Sequence, residues 1–141
     1  MLDLKGRRVG ITRARADAVS FAEQVAAGSG QPVLLPCIRI AAPDDLEPLL
    51  SSARDLEQFD GILLGSKNAA IAAARAVFHR GRSTQVPVFA VGKQTAGRLA
   101  QDDELQAAFA GPKHAPEEYR AEALVELLKE QVEDLNGRRF W

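Results

Sequence analysis

Phe59-Asp60-Gly61-Ile62-Leu63-Leu64-Gly65-Ser66-Lys67-Asn68-Ala69 is the stretch whose reading decides the fold. Gly61 to Leu64 reads as a buried strand that runs straight into a small polar turn. A helix follows, marked by Ala69, Ala70, Ile71, Ala74, Val77 and Phe78 at near-helical spacing. Ser66 or Asn68 can cap it by accepting backbone N–H bonds that the first turn cannot satisfy internally. Such a junction gathers N–H donors and a partial positive charge at one spot, which suits carboxylate or phosphate, and Lys67 adds a full charge beside it. Taken alone, the stretch reads first as an ordinary strand-to-helix turn, because every α/β domain contains them.

The same design recurs on both sides. Arg8-Val9-Gly10-Ile11-Thr12 is a short strand closed by Thr12-Arg13, and Asp17 can cap a helix with Ala18, Phe21, Ala22 and Val25 on one face. After Gly28-Ser29-Gly30 comes the strand Pro32 to Pro36. This β-α-β opening predicts parallel strands and a right-handed crossover. Cys37 to Pro43 continues extended and reads as a connector. Leu46, Leu49, Leu50, Ala53 and Leu56 define an amphipathic helix that begins close to Pro48, a residue tolerated only in a first turn.

Beyond the central helix, Pro87 to Val91 is another buried strand, and Gly92-Lys93-Gln94-Thr95-Ala96 repeats the strand-turn-helix junction. Leu105 to Phe109 reads as a short strand, and Gly111 to Glu118 as a loop with two prolines. Tyr119 leads into a helix carrying Leu124, Leu127, Leu128, Val132 and Leu135. Arg138-Arg139-Phe140-Trp141 has the look of one more strand beginning. In open parallel sheets the carboxyl ends of strands collect on one edge, where ligands bind.

Composition narrows the chemistry. The 141 residues suit one ordinary domain and carry 18 basic against 19 acidic residues, so no basic excess points to nucleic acid. The apolar runs are too short to cross a bilayer, and the N-terminus lacks the apolar segment of a secretory signal, so a cytoplasmic protein is expected. The lone Cys37, set in an apolar run, reads as a buried structural thiol. His79 and His114 share no ligand spacing, and no metal set is visible. Ser66 lacks glycine two residues to either side, so it is not a nucleophile elbow. Gly92-Lys93-Gln94-Thr95 lacks the long glycine spacing of a phosphate loop. Glu117-Glu118 and Asp102-Asp103-Glu104 read as solvated loop carboxylates, and Tyr119 as packing where its loop meets the helix, with cleft lining as the alternative. What remains is a set of helix N-termini with small polar residues and a few cations, suited to a polyanion held largely by backbone N–H groups.

Several segments, in order and over nearly the whole chain, resemble the uroporphyrinogen-III synthase family. They are Val9 to Arg13, Leu34 to Ile40, Phe59 to Ala69, Val88 to Ala96 and Pro116 to Leu124. The resemblance implies flavodoxin-like α/β lobes with parallel sheets, joined by extended connectors. Residues 1–36 would be the strand-helix-strand arm of the first lobe, 37–43 a connector and 44–141 the second lobe. The family is longer, so the remainder of both lobes is expected to lie outside these residues. The family reaction closes the linear tetrapyrrole hydroxymethylbilane to uroporphyrinogen III, with inversion of one ring and loss of water, and uses no cofactor.

The resemblance further implies that Thr12 and Arg13 face the substrate from the first lobe. Ser66, Lys67, Asn68, Gly92, Lys93, Thr95 and Tyr119 would face it from the second, with no residue assigned as an acid or base. Where the family usually shows Phe-Thr-Ser, this chain has Leu64-Gly65-Ser66, one hydroxyl fewer. Neither nucleic acid nor membrane is implied as a partner, and self-association through the incomplete lobe is an expectation. Two other readings stand beside synthase. One is a non-catalytic descendant that binds tetrapyrrole or a partner protein, and the other an unrelated flavodoxin-like module with a phosphate ligand.

Overall fold

The computed structural model describes residues 3–117, 121–132 and 134–141. The chain divides into two compact units, Met1–Asp44 and Asp45–Trp141. In the first, β1 (Arg8–Ile11), α1 (Arg15–Ala27) and β2 (Gln31–Leu34) form a β-α-β unit. The two strands pair in parallel, from Arg8 opposite Gln31 to Ile11 opposite Leu34. Ile11, Ala18 and Val25 make its small core, with Leu4, Val9 and Ala22 packed against them.

Three expectations for this unit need correction. Helix α1 starts before Asp17: Ala14 is its N-cap, and Asp17 sits in the first turn. Phe21 is exposed, because it falls off the narrow stripe that Ala18, Ala22 and Val25 present to the strands. Cys37 is exposed rather than buried, its thiol donating to the Leu35 carbonyl at 3.2 Å. The run that surrounds it is apolar but lies outside any regular element, with Leu35, Ile38 and Ile40 also exposed.

The second unit holds α2 (Glu47–Arg54), a 3₁₀ turn (Leu56–Gln58), β3 (Ile62–Leu64), α3 (Lys67–His79), β4 (Val88–Ala90), α4 (Lys93–Gln101), α5 (Asp103–Ala108), β5 (Lys113–His114) and α6 (Ala121–Gln131). Pro48 falls in the first turn of α2, where its missing N–H costs nothing. Strands β3, β4 and β5 lie side by side in that order, all parallel. On the far side of β3, the segment Arg139–Trp141 pairs in parallel through Gly61 and Phe140. Trp141 N–H donates to the Gly61 carbonyl at 3.0 Å and Leu63 N–H to the Trp141 carbonyl at 2.8 Å.

Alternation along the strands sorts the side chains onto two faces. Ile62, Leu64, Val88 and Ala90 pack with α3 residues Ala70, Ala73, Ala74 and Val77, and with Leu99, Leu105 and Phe109. Leu63, Phe89, Val91 and Phe140 pack on the other side with Leu124 and Leu128 of α6. Helices therefore cover both faces of a parallel sheet, and the α/β class holds. In chain order the strands run third, second, first, fourth across the sheet, whereas a flavodoxin order would place the second and third on opposite sides of the first. The side on which successive strands are added therefore reverses between β3 and Arg139–Trp141.

Two local readings also change. Leu105 to Ala108 is helical in α5, because the Asp102 carboxylate accepts from the N–H groups of Glu104 and Leu105 at 3.1 and 3.3 Å and starts a new turn. The loop after Gly111 contains the short strand β5, whose His114 stacks on Phe89 with ring centroids 5.0 Å apart.

Candidate functional site at the carboxyl edge of the sheet

The second unit builds its edge from two adjoining junctions. Val91 N–H donates to the Leu64 carbonyl at 2.9 Å, so the turns leaving β3 and β4 stand side by side. At the first, Ser66 is extended and its Oγ accepts from Ala69 N–H at 3.1 Å, which caps α3 as its sequence position predicts. Ser66 is exposed, while Lys67 and Asn68 are half-buried in the first turn. Gly65 is exposed, and a Cβ built on it would meet nothing within 4 Å.

At the second junction Gly92 is the N-cap of α4, with φ +89° and ψ 141° and no capping side chain. That backbone conformation is essentially restricted to glycine. The α4 N-terminus is thus built without a hydroxyl of its own, and exposed Lys93 is its first residue. Thr95 differs from the sequence expectation in its surroundings. It is 3% exposed and shares the buried face of α4 with Leu99, whereas Lys93 and Gln94 are exposed. A residue two positions after a helix start turns inward whenever that face of the helix is the packed one.

In the first unit, Thr12 and Arg13 are both exposed and follow directly on β1. The Thr12 carbonyl accepts from Cys37 N–H at 3.1 Å, which holds this turn at the carboxyl edge of its own two strands. Tyr119 lies outside the described residues.

Beside Ser66, at the point where strand order reverses, Leu49, Leu63, Leu64, Ala69, Ala72 and Trp141 line an apolar crevice of about 340 Å³. Small side chains on α3 leave the space, and Trp141, fixed by its indole N–H donating to Ser52 Oγ at 2.7 Å, closes one side. Sequence reading missed this crevice. The alanines of α3 were the available signal, but they serve equally well in close helix packing. Ligands of open α/β sheets bind at such reversal points.

The edge offers N–H donors, hydroxyl and amide groups and lysine cations. The carboxyls held below their usual range lie elsewhere: Glu57 in the 3₁₀ turn and Asp60 before β3. Among the described residues no group of His, Cys, Asp and Glu could hold a metal ion. No helix among them is long and apolar enough to cross a membrane. The arrangement is suited to holding and orienting an anionic ligand with an apolar body.

No curated protein matches the chain. A family model described as uroporphyrinogen-III synthase (HemD) matches residues 19–139, which takes in both junctions of the second unit and leaves out Thr12 and Arg13. With most of its length inside that match, the chain belongs to the uroporphyrinogen-III synthase family.

Proposed function

We propose that this protein is a uroporphyrinogen-III synthase, closing hydroxymethylbilane to uroporphyrinogen III in cytoplasmic tetrapyrrole synthesis. The observation that carries the reading is the family match over residues 19–139. The paired junctions of β3 and β4 support it, since they set helix N-termini of a kind that suits anions beside an apolar crevice. The acetate and propionate groups of the substrate would lie against the N-termini of α3 and α4, with Ser66, Lys67, Asn68, Gly92 and Lys93 as contacts. Thr12, Arg13 and Tyr119 are proposed as substrate contacts on the family resemblance alone. Thr95 would act through α4 packing.

In the reaction the hydroxymethyl carbon loses its oxygen as water and becomes electrophilic. The substituted carbon of the terminal ring attacks it, a spiro intermediate forms, and bond migration followed by reclosure inverts that ring. The protein would contribute positioning and electrostatic stabilisation of charge as it develops. No cofactor enters this scheme.

The test is cyclisation of freshly generated hydroxymethylbilane, with type III separated from type I product after oxidation. Type III above the spontaneous background supports the reading, and type I alone sinks it. Exposed Leu34, Leu35, Ile38 and Ile40 support self-association as part of the reading, so activity is expected to rise with protein concentration faster than linearly.

A second reading rests on the same edge, whose capped helix start and exposed Lys93 are suited to holding an anion whether or not a reaction follows. On it the chain binds tetrapyrrole, or a partner protein, without turning substrate over. Saturable uroporphyrin III binding with no type III product would single it out.

A further inference from the structure

We propose that Asp60 is a positioning residue: it fixes the register of Arg139–Trp141 against β3 and thereby shapes the crevice at the opposite end of those strands. This rests on the reading of that edge as the ligand site. The pairing is short. Its backbone bonds are Asp60 N–H to the Arg139 carbonyl at 2.8 Å, Trp141 N–H to Gly61 at 3.0 Å and Leu63 N–H to Trp141 at 2.8 Å. So few bonds specify register weakly, and a slip of one residue sends every side chain to the other face.

The consequence of a slip here would be large. Phe140 packs on the α6 side, edge-on to Phe89 with centroids 6.4 Å apart, while Trp141 packs on the α3 side and lines the crevice. A slip that carried Trp141 into the position of Phe140 would put the indole under α6 and remove the crevice wall. Phe140 and Trp141 are both large and apolar, so hydrophobic patterning alone distinguishes the registers poorly.

Asp60 supplies the missing specification. One carboxylate oxygen accepts from the Arg139 backbone N–H at 2.9 Å and the other from Arg138 Nη1 at 2.7 Å. With Asp60 N–H donating to the Arg139 carbonyl, this residue grips Arg139 at both backbone groups. A carboxylate on so short a side chain reaches one N–H along the partner, which is what a register mark requires. Arg138 Nε is itself held by the Asp134 carbonyl at 3.3 Å, and the Arg139 guanidinium lies 4.9 Å from the centre of the Phe59 ring.

The experiment uses the full chain and its single tryptophan, Trp141, as reporter. Asp60→Ala, Asp60→Asn and Asp60→Glu are compared with wild type by Trp141 emission, amide exchange at Leu63 and Trp141, and uroporphyrin III affinity. Asp60→Asn keeps an oxygen for Arg139 N–H and gives up the charge. Asp60→Glu keeps the charge and lengthens the reach. Register fixing predicts that Asn retains emission and protection, whereas Ala and Glu shift emission to the red and speed exchange at both amides by ~10-fold, the scale of one lost hydrogen bond. Uroporphyrin III affinity then falls in Ala and Glu.

Unchanged emission and exchange in Asp60→Ala overturns the proposal. So does Asn behaving like Ala while Glu behaves like wild type, which would make charge the operative feature. If Ala fails to fold, the comparison of Asn with Glu still decides. Altered emission and exchange with uroporphyrin III affinity intact would overturn the link between register and site. If the wild type does not bind uroporphyrin III, the functional reading fails while emission and exchange still judge the register.

Discussion

Arg80 and Glu57 face each other through two hydrogen bonds, Nη1 to Oε2 at 2.7 Å and Nη2 to Oε1 at 2.6 Å. The Arg80 side chain is only 5% exposed, and its other donors reach the carbonyls of Ala53, Arg82 and Ser83. This one guanidinium joins the end of α2, the 3₁₀ turn, the end of α3 and the chain leading to β4. Removing Glu57 strands a nearly buried cation. The Glu57 side chain is itself about half exposed, so the cost of Glu57→Ala is set at about 1–3 kcal/mol, short of the loss for a fully buried pair. Chemical denaturation of wild type and variant measures it.

The same pair gives a pH dependence. Its hydrogen bonds to Arg80 hold the Glu57 carboxyl well below the usual range, down to about 2. A depressed folded pKa means the stabilisation is fully present above the unfolded value, near 4.5, and is lost as pH falls towards about 2. The midpoint of unfolding should therefore drop across that window more steeply in wild type than in Glu57→Gln. Parallel curves would show that Glu57 is not the group responsible.

Ser66 can be separated into its two roles. Its Oγ caps α3, so Ser66→Ala should destabilise the fold by about 0.5–2 kcal/mol. Ser66→Asp retains an acceptor for Ala69 N–H and should remain close to wild type in stability. It also places a negative charge where an anionic ligand is proposed to sit. Uroporphyrin III binding should then weaken in the aspartate variant although the helix is intact. Unweakened binding would place the ligand elsewhere.

These junctions were legible in the sequence because each depends on local chemistry. A short apolar strand, a serine and a run of alanines specify β3, the Ser66 cap and α3 almost without tertiary help. Gly92 was legible as a turn for the same reason. Inward-facing Thr95 was not, because the side of α4 that packs is chosen by the neighbouring helices α3 and α5 and not by the turn. Asp102 concealed α5 in a similar way. Its capping bonds form only once α4 has ended, and the following alanines are compatible with either state. The crevice and the Asp60 contacts required strand order, since Asp60 and Arg138 are far apart in the chain and no periodicity connects them. Cys37 misled because an apolar run is usually a buried one, and here it follows the last strand of its unit.

Glycine at two turn positions should respond in opposite directions to the same substitution. Gly92 has φ +89°, so Gly92→Ala forces a side chain into a conformation it rarely adopts, at a cost of about 1–3 kcal/mol. Gly65 is not in the left-handed region, and an added Cβ there meets nothing within 4 Å. Gly65→Ala should stabilise by about 0.4–1 kcal/mol, by narrowing the unfolded ensemble. Gly65→Thr would return a hydroxyl to the turn beside Ser66. Thermal unfolding of the variants checks the signs, and two destabilised alanine variants would mean that the turn at Gly65 is tighter than its geometry indicates.

Lys93 tests whether the edge works through a field or through a single contact. It is exposed and opens α4 immediately after a cap without a side-chain acceptor, so its charge adds to that of the helix end. An exposed charge of this kind is worth up to about 1 kcal/mol, so Lys93→Gln should weaken uroporphyrin III binding by at most about fivefold. The difference should shrink as salt rises, because screening falls from a length of about 30 Å at 0.01 M to about 3 Å at 1 M. Titrations at several salt concentrations distinguish the cases. A gap between wild type and variant that closes with salt supports long-range attraction of a polyanion to the edge. A gap that persists at 1 M would instead indicate a close, desolvated contact between Lys93 and one carboxylate, and a gap absent at every salt concentration would remove α4 from the site.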